Sequence, residues 1–293
     1  MIAERSASPA RTSPSLPFAL RLAQTGVNAL GRVAPPLAGK WALDLFFTPM
    51  RHPEPKREAE LLEVAEHFTV PFGDIPLAAY AWGEGPTVLL VHGWSGRGAQ
   101  LGAFAAPLVA AGYRVVAFDS PAHGRTPGRR TTAIEVAASV HRIGEHLGPL
   151  CAVVAHSFGA LCTTLALRDG LAADGVVYLG PACHVRMAVQ GFARQLGLSW
   201  TVEYGLRGEM ERTFGPGIWH DLSASTVARG LRLPALIMHD IEDAEVPHAE
   251  GLSLAHAWPG ARLVTTAGLG HRRILRDEGV LGQAVEFIAD LSR

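Results

Sequence analysis

The chain has 293 residues, 48% of them hydrophobic and 18% charged, with a formal net charge of −1. That length and composition describe a globular protein able to bury one large core, and the near-neutral charge excludes the basic footprint of a nucleic-acid binder. No stretch is long and apolar enough to span a bilayer, and Cys151, Cys162 and Cys183, which lack C-x-x-C spacing, read as reduced thiols of a cytoplasmic protein.

The first segment, MIAERSASPARTSPSLP, is rich in Ser, Pro and Arg and has the composition of a disordered tail. Leu16, Leu20, Ala23, Val27 and Leu30 then recur at helical spacing opposite Arg21, Thr25, Asn28 and Arg32, which predicts an amphipathic helix over 16–33. Its apolar stripe is expected to pack on the protein's own body, with a weak membrane-surface or dimer contact as the other use of such a helix. A Pro-rich, charged link closes this N-terminal arm at residue 57. A short helix is expected over 59–66, and FTVPFG with IPLAAYAWGEG reads as a hairpin.

From there strands and helices alternate. VLLVHG (88–93) precedes a helix over 100–111, YRVVAFD (113–119) a helix over 133–147, and CAVVAHS (151–157) a helix over 160–168. GVVYLGP (175–181), ALIMHD (235–240) and RLVTTAG (262–268) follow, then a last helix over 279–291. Apolar runs alternating with helices imply an α/β fold with a doubly wound, mainly parallel sheet covered on both faces. Residues 58–181 and 234–293 form its expected core. About fifty residues between Pro181 and Pro234 carry no strong strand, although a crossover needs only a dozen or so. Residues 182–233 therefore read as a helical lid inserted after the sixth strand.

Within VVAHSFGAL (153–161) a serine stands where the fifth strand turns abruptly into a helix. Ala155 and Gly159, two residues either side, are small enough to let such a turn close, as in a nucleophile elbow. The helix that follows would aim its first N–H groups at an oxyanion there. Alone, small-x-Ser-x-small is a weak pattern. Four other loops follow strand ends: VLLVHGW (88–94), FDSPAHGRT (118–126), HDIEDAEVP (239–247) and GLGHRR (268–273). With these in order, the chain resembles the α/β-hydrolase family from about residue 68 to the C-terminus. The matching parts are an HGW oxyanion loop, a D-x-P-x-H-G loop, the Ser elbow, a D-x-x-V-P acid loop and a G-H base loop. Ala155 and Ala122 stand where the family usually has Gly.

The resemblance implies Ser157 as nucleophile and His271 as its base, last in the order Ser…Asp…His. Asp243, three residues before Val246, matches the acid position; Asp240, at the strand end, is the alternative acid, and Glu242 a more distant one. The backbone N–H groups of Trp94 and Phe158 would form the oxyanion hole. His156 is expected to point away from Ser157, His92 and His123 to be structural, and Asp119 to order its own loop. No H-E-x-x-H, Cys/His cluster or nucleotide-binding glycine pattern is present, so neither metal nor cofactor is expected. The implied reaction is cleavage of a small or medium carboxylic ester, a small-molecule acyl substrate, through an acyl-serine. The same machinery suits amide, lactone, thioester or carbon–carbon cleavage, or acyl transfer; a catalytically silent binding or scaffold protein is the reading of another class. In the lid, Phe192, Trp200, Tyr204, Phe214 and Trp219 are expected mainly to pack the lid onto the core, some lining an apolar pocket.

Overall fold

The computed structural model describes residues 18–291, with side chains from Arg21 onward. The expected tail over 1–17, and the side chains of Leu16 and Leu20, lie outside the described residues. Every apolar run expected as a strand pairs into one sheet. In chain order these are β1 (Glu66–Phe72), β2 (Ile75–Trp82), β3 (Thr87–Val91), β4 (Arg114–Phe118), β5 (Leu150–His156), β6 (Val176–Leu179), β7 (Ala235–Asp240) and β8 (Arg262–Thr266). Their spatial order is β1-β2-β4-β3-β5-β6-β7-β8. β2 pairs antiparallel with β1 and β4, and every pairing from β4 to β8 is parallel. β3, β5, β6 and β7 are buried along their whole length, which is why they read as continuous apolar runs, whereas the edge strands β1 and β8 are partly exposed.

Successive side chains leave the sheet on opposite faces. Val91, Val153, Tyr178 and Ile237 enter one apolar layer, and Leu90, Val154, Val177 and Met238 the other. Two helices, α1 (Phe18–Val33) and α2 (Pro35–Phe46), precede the sheet, and α3 (Lys56–Glu63) leads into it. A 3₁₀ segment, Gly98–Phe104, and α4 (Ala105–Ala110) follow β3; α5 (Ala133–Leu147) follows β4 and α6 (Phe158–Arg168) follows β5. Between β6 and β7 lies the expected helical insertion, α7 (Val185–Gln195), α8 (Trp200–Phe214), α9 (Ile218–Asp221) and α10 (Ala224–Ala228). α11 (His248–Ala257) joins β7 to β8, and α12 (Gly270–Arg273) and α13 (Glu278–Leu291) end the described chain. Leu62, Phe104, Leu108 and Ile288 bring α3, the 3₁₀ segment, α4 and α13 to one face, whereas α5 and α6 cover the other.

α2 and α11 were not anticipated. α2 opens on the double proline at 35–36, which costs no hydrogen bond in the first helical turn. α11 turns Glu250 and Gly251 inward along with Leu254, so it shows no apolar stripe.

The chain leaves β3 to build β4 on one side and then returns to build β5 on the other. The loops after β3 and β5 therefore diverge at the sheet centre and open a crevice at the strands' C-terminal edge, where ligands bind in wound sheets. The insertion begins beside it, Ala182 N donating to Ser157 O at 3.1 Å, and the arm is clasped to the insertion. Gly39 of α2 crosses Gly205 of α8 so closely that a Cβ on Gly39 would lie 2.7 Å from the Gly205 carbonyl carbon. Asn28 of α1 donates to Gly197 O at 2.9 Å and accepts from Ser199 N at 2.8 Å. The body that α1 packs against is thus the lid.

The lid aromatics divide. Phe192 and Phe214 meet Phe46 and Phe47 of the arm edge-on, with centroids 5.3 and 5.7 Å apart. Trp219 lies beneath Arg186 and Arg207 and donates its indole N–H to Glu211 at 2.6 Å. Trp200 and Tyr204 depart from the expectation: they stack on each other and stand 76% and 66% exposed.

Candidate active site

Ser157 occupies the turn between β5 and α6 with φ +54° and ψ −122°. A non-glycine residue at positive φ is strained, and strain of this kind persists only where the surroundings over-determine it. Here they do. The Ser157 N–H donates to Leu179 O at 3.0 Å, and its carbonyl accepts from Ala182 N at 3.1 Å. Gly159 is obligatory, because a Cβ there would lie 2.6 Å from His92 O and 2.7 Å from Val91 O. Ala155 sits fully buried on β5, paired with Val91 and Tyr178, and its methyl is accommodated. Ala122, the other departure from glycine, takes φ +64° and so carries strain that glycine would not.

The loop after β3 closes on the elbow: a Cβ on Gly93 would lie 3.1 Å from Ser157 Cβ. The Trp94 and Phe158 rings meet edge-on at 5.2 Å, one on each side of the crevice. Among the described residues the backbone N–H groups of Trp94 and Phe158 donate to no protein acceptor. By contrast the neighbouring Ser95 N–H is taken by His123 Nε2 at 3.0 Å. His123 Nδ1 faces Pro121 O, and His92 repeats the pattern with Nδ1 toward Gly93 O and Nε2 accepting from Ser120 N. Burial pushes His92 down to about 4 and, joined by repulsion from His92, pushes His123 down to about 3. Both rings are neutral struts between loops. Asp119 ties the same region together by accepting from Gly98 N, Arg125 N and the Tyr80 hydroxyl, each at 2.8 Å.

His271 follows β8 in the single turn of α12 and is buried against Asp243, its Nδ1 2.6 Å from Asp243 Oδ2. The carboxylate fixes the proton on Nδ1 and leaves Nε2 as an acceptor. Both groups crowd Gly180, at the end of β6, where a Cβ would lie 3.2 Å from Asp243 Oδ2 and from His271 Nδ1. Burial alone would raise the Asp243 carboxyl. Hydrogen bonds from His239 and His271, the His271 charge and the Val246 N–H instead hold it well below the usual carboxylate range. Asp240 does not meet the imidazole. Its Oδ2 accepts from Thr266 Oγ1 at 2.8 Å and Leu269 N at 2.9 Å, and its Oδ1 from Glu242 N at 3.0 Å. It anchors the segment that carries His271. Glu242 is exposed. Among the described residues the Ser157 hydroxyl makes no protein hydrogen bond; a hydrogen bond between a serine and an imidazole in such a crevice is often long in the free protein and tightens with substrate.

Two further histidines complete the arrangement, and sequence reasoning gave neither a role. His156 does turn from Ser157, but its ring packs against His271 with centroids 4.5 Å apart, and its Nε2 donates to the His271 carbonyl at 3.0 Å. Burial, then repulsion from His271, pushes His156 down to about 3, so it backs the His271 ring as a neutral body. Its adjacency to Ser157 hid this, because the contact spans 115 residues. His239 is fully buried, with Nε2 3.1 Å from Val246 O and 3.4 Å from Asp243 Oδ2. Its place four residues before Asp243 was the available signal. No group of three or more His, Cys, Asp or Glu side chains could hold a metal among the described residues.

A wound parallel sheet with a serine on a strained strand-to-helix turn, and a carboxylate-bound imidazole delivered by later strands, defines a hydrolase-type crevice. Residues 88–283 match the alpha/beta hydrolase family, and the chain belongs to that family. No curated protein matches it in sequence. Among solved structures it is similar to a Pyrococcus furiosus esterase (TM-score 0.64, 17% identity, covering 84% of this chain and 98% of that one). It is also similar to Est1E from Butyrivibrio proteoclasticus, solved with ferulic acid bound (TM-score 0.59, 18% identity, 77% and 97% covered). A third is the thioesterase domain of the curacin biosynthetic pathway (TM-score 0.58, 19% identity, 78% and 99% covered). At these identities the likeness is one of fold.

Proposed function

We propose that the protein is a serine hydrolase that cleaves a small or medium carboxylic ester through an acyl-serine intermediate. The observation that carries the proposal is the Asp243–His271 hydrogen bond of 2.6 Å beside a serine held at φ +54°. In this reading His271 Nε2 takes the Ser157 proton as Oγ bonds to the substrate carbonyl carbon. The carbonyl π pair becomes an oxyanion, received by the free N–H groups of Trp94 and Phe158, each worth about 3 kcal/mol of barrier in comparable sites. His271 then passes its proton to the departing alkoxide as the carbon–oxygen bond breaks. Water, deprotonated by the same Nε2, releases the acid and regenerates Ser157. Asp243 stays ionised and holds the tautomer.

Intact mass after fluorophosphonate treatment tests the reading. A single adduct on the wild-type chain, absent from Ser157→Ala, is expected; no adduct on folded wild type would overturn it. A panel of acetyl, butyryl and aryl esters against matched thioesters and amides then assigns the bond, with esters expected to turn over fastest.

A further inference from the structure

Helix α1 carries two apolar stripes. Ala23, Val27 and Leu30 turn toward the protein, and Val27 is fully buried. Leu22, Gly26, Ala29 and Val33, spaced by four, three and four, form a second stripe on the outer side, with Leu22 58% and Val33 81% exposed. Leu37 and Trp41 of α2, one turn apart, extend it at 56% and 39% exposure. The Trp41 ring lies over Gly26, where a Cβ would come within 2.9 Å of it, so the two helices share one apolar strip. Isolated surface leucines need no explanation, but a continuous strip does.

The charges beside the strip have one sign. Arg21, Arg32 and Lys40 are exposed. α1 contains no acidic residue, and Asp44, the acid of α2, is paired with Arg130 at 2.7 Å. Among the described residues none of these three cations has an ion partner, so a chain of net charge −1 concentrates them at one apolar edge. An isologous contact with a second copy would press these cations against themselves. Apolar side chains that include a tryptophan, edged by cations and with no unpaired acid on α1 or α2 among the described residues, match the chemistry of an anionic lipid surface.

We propose that the α1–α2 arm docks the protein on an anionic bilayer. Leu22, Val33, Leu37 and Trp41 enter the interface while Arg21, Arg32 and Lys40 reach the headgroups. Among the described residues no helix is long and apolar enough to cross a membrane, so the contact is peripheral. Because α2 crosses α8 at Gly39 and Gly205, the bilayer would lie beside the lid, whose helix α8 also presents Trp200 and Tyr204. The inference is independent of the proposed catalysis.

Co-sedimentation of the full chain with vesicles tests it, using phosphatidylcholine alone and a phosphatidylcholine–phosphatidylglycerol mixture at low and high salt. Pelleting with the anionic mixture, reversed by salt, is expected. Val33→Glu and Leu37→Glu, both at exposed positions and checked for an unchanged Tm, should abolish it. Arg21→Glu and Lys40→Glu should each weaken binding about fivefold or more. Failure to pellet with the anionic mixture, equal binding to phosphatidylcholine, or binding unaltered by the two glutamates would overturn the proposal. So would a solution dimer that the glutamates split, which would assign the strip to a second copy.

Discussion

At the crest of the sheet, Asp119, Asp240 and Asp243 each accept several hydrogen bonds from loops far apart in sequence, and His92, His123 and His156 strut those loops with neutral rings. In the cap, α2 and α8 meet through a pair of glycines, Asn28 supplies a two-bond clasp, and phenylalanines touch edge-on. The crest spends its polar groups on fixing atoms to within a hydrogen bond, as the proposed chemistry would require. The cap relies on shape, so its composition can vary while the crest stays in place. Damage at the crest should therefore appear in the chemical step, and damage in the cap in stability and substrate choice.

The two acids of the β7 loop test the crest most sharply. Asp243→Asn should lower kcat on the order of 10⁴-fold, because an amide can donate to Nδ1 and hold the wrong tautomer. Asp240→Asn touches no imidazole. Its amide would face donors from Leu269 or Thr266, costing about 1–3 kcal/mol of stability, and kcat should fall by no more than about tenfold through misplacement of the His271 turn. Steady-state kinetics and urea unfolding of both variants separate the two effects. Equal losses of kcat would remove the distinction drawn between them.

Gly39→Leu probes the cap. The added side chain must push α8 from α2, and overpacking of this kind costs about 1–3 kcal/mol. A lower urea midpoint and an altered KM are expected, with fluorophosphonate labelling of Ser157 retained. Loss of labelling would mean that the arm and lid shape the crest itself.

The same contrast decided what the sequence made legible. Strands β3, β5, β6 and β7 were readable because burial on both faces demands unbroken apolar runs. Ser157, His271 and the two acids could be named as candidates because each occupies a loop at a strand end, in a fixed order. The choice between Asp240 and Asp243 was not physically evident, since both share one loop and only the third dimension shows which carboxylate meets His271. His156 escaped notice because its partner lies on another strand's loop. α2 and α11 escaped because helices that use prolines, glycines and an inward glutamate carry no clean apolar period. The outward stripe of α1 was overlooked for a related reason: Leu22 and Val33 lie outside the single stripe that a one-sided amphipathic reading selects.

Acid should separate the two regions by sign. Burial lowers His92, His123 and His156 to about 4, 3 and 3 in the folded chain, whereas unfolded histidine titrates near about 6.5. Below that pH the unfolded state binds protons that the folded state refuses, so stability is full above it and falls as pH drops. With about three such groups the slope approaches about 4 kcal/mol per pH unit near pH 5. Denaturant titrations across that range should show the loss, and the single variants His92→Gln, His123→Gln and His156→Gln should each flatten it by about one proton. His184, where the lid begins, behaves oppositely. Its Nδ1 lies 2.9 Å from the buried Glu250 carboxylate, and that hydrogen bond lifts it above the ordinary histidine value against the lowering effect of burial. Its contribution is full below the unfolded value and is lost as pH rises through the raised folded one. The stability gap between wild type and His184→Gln should therefore be larger at about pH 5.5 than at about pH 8.5. Partial exposure keeps this the smallest of the effects. A gap that grew toward alkaline pH would mean that neutral His184 is the form the lid hinge holds, and that Glu250 acts through the Cys183 and His184 N–H groups alone.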